Sequence, residues 1–88
     1  MIHIRFEAEA QRFAAYDGDT LAGVCSYREE NGAWVADHTE VHPDFRGQQV
    51  AQRLVEALFA KAEEEGIEII PQCSYVAKLM ARRAGTEN

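Results

Sequence analysis

Ile67-Glu68-Ile69-Ile70-Pro71-Gln72-Cys73-Ser74-Tyr75-Val76 passes from a short apolar strand to the first turn of a helix, with a thiol at the junction. Ile67 to Ile70 is too short and too β-branched for a helix and reads as a buried strand, stopped by Pro71. Tyr75, Val76, Leu79 and Met80 then recur at helical spacing. Upstream, Val50, Ala51, Leu54, Val55, Leu58, Phe59 and Ala62 form one apolar stripe on a helix that runs from Gly47 onward and ends at Gly66, placed as a left-handed C-cap. The second half therefore reads as α-β-α.

The first half reads as an antiparallel meander. Ile2, Ile4 and Phe6 alternate with His3, Arg5 and Glu7, the period of a half-buried strand. A second strand covers about Arg12 to Tyr16, and Asp17-Gly18-Asp19 turns the chain into a third, Thr20 to Tyr27. Asn31-Gly32 is a hairpin signal, followed by a fourth strand from Ala33 to Val41. Gly23 inside the third strand marks either a bulge, a close backbone approach, or a small residue under a neighbouring side chain. The expected class is α+β, order β-β-β-β-α-β-α, with a mostly antiparallel sheet. One domain, 1–88, is expected, with a frayed tail from Ala84 to Asn88.

Composition narrows the function. The chain has 88 residues, 47% of them hydrophobic, which suits a single small core. A formal net charge of -6 argues against nucleic acid as a partner, because phosphate contacts need a concentrated basic surface. No stretch approaches the length of a membrane span and the N-terminus starts in a strand pattern, so a cytoplasmic protein with no membrane partner is expected. Cys25 and Cys73 lie far apart without metal-binding or disulfide spacing and read as reduced thiols. His3, His38, His42 and Cys73 share no local spacing that would make a metal site, and none is expected.

The chemistry concentrates at two helix starts. Unpaired amides at a helix N-terminus favour a thiolate, so Cys73 reads as the reactive thiol, the alternative being a small residue that fills space. Cys25, mid-strand beside Val24, reads as core. Between the fourth strand and the long helix lies His42-Pro43-Asp44-Phe45-Arg46-Gly47-Gln48-Gln49-Val50-Ala51. An abrupt strand-to-helix junction of this kind binds anions, phosphates above all. His42 reads as a turn residue. On the fourth strand, strict alternation puts Trp34, Ala36, His38 and Glu40 on one face and Val35, Asp37, Thr39 and Val41 on the other. His38 and Glu40 could then point together into a cleft, an imidazole and a carboxylate suited to taking a proton, or else form a solvated pair on the surface.

Arg46-Gly47-Gln48-Gln49-Val50-Ala51 resembles the acyl-CoA pyrophosphate loop of the GNAT acetyltransferase superfamily, Q/R-x-x-G-x-G/A. Arg46 and Ala51 fit the first and last positions, while Gln49 stands where the central glycine is usual and its side chain is expected to crowd the pyrophosphate. Together with His38-Thr39-Glu40-Val41 and Pro71-x-Cys73-Ser74-Tyr75-Val76, the chain resembles the short single-domain GNAT-like proteins over nearly its whole length. The resemblance implies a minimal GNAT-like fold and an acetyl-CoA-dependent N-acetyltransferase, with acetyl-CoA or CoA as cosubstrate. It implies that Val41, Arg46, Gly47, Gln48, Gln49, Val50, Ala51, Ser74 and Tyr75 bind CoA where the fourth and fifth strands splay. Cys73, His38 and Glu40 are the implied catalytic residues. Either Cys73 protonates the departing CoA thiolate, or it carries the acetyl group itself. The acceptor is expected to be a small-molecule or protein amine, and the chain a monomer or weak dimer. A CoA-binding or protein-interaction module with weak or silent catalysis is the alternative.

Overall fold

In the computed structural model, which describes residues 1–84, the chain forms β1 (Ile2–Glu7), β2 (Arg12–Asp17), β3 (Thr20–Glu30), β4 (Ala33–Val41), α1 (Val50–Glu65), β5 (Ile69–Pro71) and α2 (Ser74–Ala84). Of the tail expected to fray, residues 85–88 lie outside the described residues. The five strands form one sheet in the order β1-β2-β3-β4-β5. All pairings are antiparallel except β4 with β5, as the α1 crossover requires. This is an α+β architecture with a mostly antiparallel sheet and two helices packed on it.

Local chemistry explains the hairpins. Asp17 pairs with Thr20 across the two-residue loop Gly18-Asp19, and Glu30 pairs with Ala33 across Asn31-Gly32. Asn31 and Gly32 stand at φ of 52° and 81°, the twist that matches a right-handed hairpin. β3 runs to Glu30, three residues past the expected end at Tyr27, because its ladder with β4 continues to that turn.

One face of the sheet is covered. Phe13, Ala15, Cys25, Tyr27, Trp34 and Ala36 pack against Val50, Leu54, Val55, Leu58, Phe59 and Ala62 of α1 and Val76 and Leu79 of α2. Leu54 and Leu58 are fully buried, so truncating either to Ala should cost roughly 2–5 kcal/mol. Phe6, Phe13, Tyr27 and Trp34 form an aromatic cluster at one end, with Tyr27 stacked on Trp34 at a centroid distance of 4.2 Å. The other face carries polar side chains, including an Arg12–Glu7–Tyr16 network in which Glu7 Oε1 and Oε2 accept from Arg12 and Tyr16 at 2.7 Å each. Among the described residues no helix packs on that face.

Two bulges correct the strict alternation. Ala15 faces Gly23 while Tyr16 faces Leu21, which leaves Ala22 as an extra residue in β3. Ser26 faces His38 while Tyr27 faces Ala36, which leaves Asp37 as an extra residue in β4. An inserted residue flips every side chain beyond it. Trp34 and Ala36 face the helices before the bulge, but Thr39 and Val41, not His38 and Glu40, face them after it.

β5 is also less buried than a β-branched run suggests. It is an edge strand in which Ile69 packs on the core and Ile70 is 41% exposed, and Pro71 is tolerated there because an edge has no further partner to satisfy.

Gly23 is a close backbone approach. A Cβ on it would lie 2.8 Å from the Glu40 carbonyl oxygen and 3.3 Å from the Val41 Cα. Both are backbone and neither can move without opening the β3–β4 ladder. Gly23→Ala should therefore lower stability by roughly 1–3 kcal/mol, read as a shift in the urea midpoint at unchanged slope. Gly18→Ala meets no atom within 4 Å and should cost only its strain at φ of 61°, about 1 kcal/mol. A Gly23→Ala midpoint no lower than that of Gly18→Ala would contradict the clash.

Candidate functional site

The β4–β5 ladder ends where the bulge begins. Trp34, Val35 and Ala36 pair with Ile69, Ile70 and Pro71, and the Ala36 carbonyl then accepts two amides, Gln72 at 3.0 Å and Cys73 at 2.8 Å. Beyond that point β4 continues to Val41 while the other chain turns into α2. Arg28 holds the two lips together on the uncovered face, its Nη1 donating to Asp37 Oδ2 at 3.2 Å and to Gln72 Oε1 at 3.1 Å.

The divergence opens a cavity of about 420 Å³ lined by Val41, Phe45, Arg46, Gly47, Gln49, Val50, Ala51, Gln52 and Tyr75. Both helices begin at or beside it. Of the residues implicated in CoA binding, Val41, Arg46, Gly47, Gln49, Val50, Ala51 and Tyr75 line this cavity, and Gln48 and Ser74 do not.

The junction is less abrupt than its sequence suggests. A 3-10 turn, Pro43–Phe45, follows β4, and α1 starts at Val50 rather than at Gly47. His42 is a turn residue whose Nδ1 accepts the Asp44 amide at 3.1 Å. Gly47, at φ of 86°, and Gln49, at φ of 60°, make the final turn into the helix. Gln49 is the N-cap, its carbonyl accepting the Arg53 amide, but its side chain caps nothing and no acidic residue occupies the first turn. The first amides of α1 are thus left for an anion, with Arg46 exposed beside them. These features fit a pyrophosphate group.

The left-handed conformation of Gln49 explains why glycine suits this position: a side chain there is strained by about 1 kcal/mol or more. A glycine there would carry no helix-interior penalty, because the residue is the N-cap and lies outside the helix interior.

Cys73 sits at the start of α2, and its carbonyl accepts the Ala77 amide at 3.0 Å, the first bond of the helix. That makes Cys73 the N-cap, a position whose side chain accepts amides from the first turn. Burial pushes its thiol up, but hydrogen bonds from the Thr39 hydroxyl, the Val76 and Tyr75 amides and the Thr39 backbone outweigh burial and leave it below the ordinary value. Its Sγ lies 3.5 Å from Thr39 Oγ1, and Thr39 Oγ1 lies 3.6 Å from Cys25 Sγ. Cys25, fully buried, is the reverse case: burial pushes it up to about 11.

His38 and Glu40 are together, His38 Nε2 standing 3.2 Å from Glu40 Oε1, and both are exposed. They lie across β4 from Thr39, on the uncovered face. Thr39 itself was not a candidate from sequence, since only the bulge turns it toward Cys73. Among the described residues no group of three or more His, Cys, Asp or Glu is placed to hold a metal ion, and no helix is long and apolar enough to cross a membrane.

Two outcomes follow from this geometry. Iodoacetamide should label Cys73 at lower pH than an ordinary thiol, and Cys25 only as pH approaches 11 or on unfolding, as read by peptide mass. Stability carries the same contrast with opposite signs. The unfolded chain releases the Cys25 proton near 9.0 and the folded chain holds it to about 11, so this contribution is lost as pH rises through that window. The Cys73 contribution is present above its unfolded value and is lost as pH falls through its lowered folded value. Cys25→Ala should flatten the alkaline loss in a urea-midpoint series, and Cys73→Ala should not. Separately, Gln49→Gly should raise stability by about 1 kcal/mol in thermal unfolding. A fall in Tm would show that the Gln49 side chain makes a contact worth more than its strain.

Residues 12–87 match the family described as GCN5-related N-acetyl-transferase. A search among curated proteins returned no match. The match covers the second to fifth strands, both helices, the β4–α1 junction and both thiols, and on that extent the chain belongs to the GCN5-related N-acetyltransferase family.

Proposed function

We propose that this protein is an acetyl-CoA-dependent N-acetyltransferase that carries the acetyl group on Cys73 before passing it to an amine. Family membership supports acyl transfer in general. The observation that carries the covalent route is the environment of Cys73: amides of Tyr75, Val76 and Thr39 and the Thr39 hydroxyl favour its ionised form. Stabilising the thiolate raises its share at a given pH, which favours attack on the thioester, and makes the same sulfur a better leaving group in the second step.

The reading assigns each part a role. Arg46 and the amides of Gly47 to Ala51 hold the pyrophosphate of the acyl donor, and Val41 and Tyr75 line its path. The Cys73 thiolate adds to the thioester carbonyl carbon, the bond to the CoA sulfur breaks, and CoA leaves as a thiolate that takes a proton from solvent. An amine then adds to the same carbonyl, the bond to the Cys73 sulfur breaks, and that sulfur leaves as the thiolate again. The amine's proton passes to Glu40 or His38. Their position on the uncovered face supports an approach of the amine from that side, through the gap between β4 and β5. The net charge of -6 suits a cationic acceptor.

The test is the mass of the protein after incubation with acetyl-CoA. One added acetyl group, mapped to Cys73 and absent in Cys73→Ala, is the expected result. With an amine present, His38→Ala and Glu40→Ala should slow loss of that adduct roughly tenfold or more while leaving its formation unchanged, the pattern of groups that act on the nucleophile. CoA binding by calorimetry without adduct or thiol release would identify a silent CoA-binding domain and overturn the proposal. Gln49→Gly should tighten CoA in the same titration.

A further inference from the structure

Cys25 is a nucleophilic group that the reaction above does not use, yet it shares a hydrogen-bond partner with the thiol that does. The hydroxyl of Thr39 lies between the two sulfurs, 3.6 Å from Cys25 Sγ and 3.5 Å from Cys73 Sγ. It has one hydrogen to give. With Cys73 protonated, the Cys73 thiol donates to Thr39 Oγ1 and Thr39 donates to Cys25. A Cys73 thiolate has no hydrogen and can only accept, so the Thr39 hydrogen must turn toward it, which leaves the oxygen lone pairs toward Cys25.

We propose that Thr39 and Cys25 are positioning residues for the Cys73 thiolate: the Cys25 S–H donates to Thr39 Oγ1 and so holds the Thr39 O–H on the Cys73 sulfur. The relay keeps Thr39 partnered to both sulfurs in either state by turning two hydrogens, while the Cys73 proton itself passes to solvent. It works only while Cys25 stays protonated. The groups around Cys25 ensure that: burial in the core dominates, and Asp37 of β4 and Cys73 at the head of α2 both disfavour a second negative charge. Asp37 is itself paired with Arg28 of β3 at 3.2 Å, which fixes where that charge sits. The relay would serve each half of the reaction, because Cys73 is a thiolate when it attacks and again when it leaves.

This inference rests on the reading of Cys73 as a working thiolate, but its test needs no acetyl-CoA. The rate of Cys73 alkylation by iodoacetamide, followed from acid to alkaline pH, reports the fraction ionised. Thr39→Val keeps the shape and removes the hydroxyl; it should move the profile to higher pH and slow alkylation at neutral pH about tenfold. Thr39→Ser should follow the native profile. Cys25→Ala should move it in the same direction by a smaller amount, and Cys25→Ser, which retains a donor, should restore it. In a Thr39→Val background Cys25→Ala should add nothing further, a coupling that loosened packing would not produce. An unchanged profile in Thr39→Val, or equal effects of Cys25→Ala with and without Thr39, would overturn the relay. Should Thr39→Val fail to fold by circular dichroism, the contrast between Cys25→Ala and Cys25→Ser decides it. Failure of Cys73 to take acetyl from acetyl-CoA, with these profiles as expected, would overturn the proposed activity and leave the relay standing.

Discussion

The carbonyl of Ala36 accepts two amides, those of Gln72 and Cys73, and the rest of the site depends on that shared acceptor. A regular parallel ladder would have carried β5 alongside Asp37 to Val41 and closed the gap. Instead the last rung is doubled, the chain turns at once into α2, and the inserted Asp37 makes a bulge in β4. Three consequences follow from one local geometry. A cavity opens between the end of β4 and the starts of both helices, Cys73 becomes the cap of α2, and Thr39 is rotated to face it.

The same fold gives two cysteines opposite characters. Cys25 lies in the middle of β3 under α1, where desolvation dominates and a charge has no amide to meet. Cys73 is also partly covered, but it occupies the one kind of backbone position that presents several unpaired amides to a side chain. Depth alone does not decide reactivity. What decides it is whether burial comes with donors, and the N-terminus of a helix supplies donors without any polar side chain.

Much of the architecture was legible in the residues. The alternation of β1, the Asn31-Gly32 turn, the apolar stripe of α1 and the cap at Gly66 each follow from local rules that tertiary structure did not override. Cys73 was legible for the same reason, because a thiol between a proline-ended strand and a helical stripe can only fall near the helix start. The bulge at Ala22 had its signal in the neighbouring Gly23, but the one at Asp37 was not legible. It has no glycine or proline to announce it, and it arises from how β3 and β4 pair. One unseen residue of slip moved Thr39 to the thiol side and His38 with Glu40 to the other. The strain at Gln49 was hidden likewise, since a positive φ at a glutamine is imposed by the turn from Pro43–Phe45 into α1 rather than chosen by the residue.

The placement of groups across β4 bears on the covalent route proposed above. Cys73, Thr39 and the cavity at the β4–α1 junction lie on the side covered by helices, whereas His38 and Glu40 lie on the bare side. Direct transfer needs the donor thioester and the amine held at once, each oriented by its own wall, and among the described residues only one face of the sheet carries helices that could supply such a wall. A covalent intermediate relaxes that demand, because the acyl donor is oriented only while Cys73 attacks and the amine only after CoA has gone. On the covalent route proposed above, the thiolate stabilisation at the head of α2 would serve twice, for the nucleophile of the first step and for the leaving group of the second, so that one well-built charge site would run both.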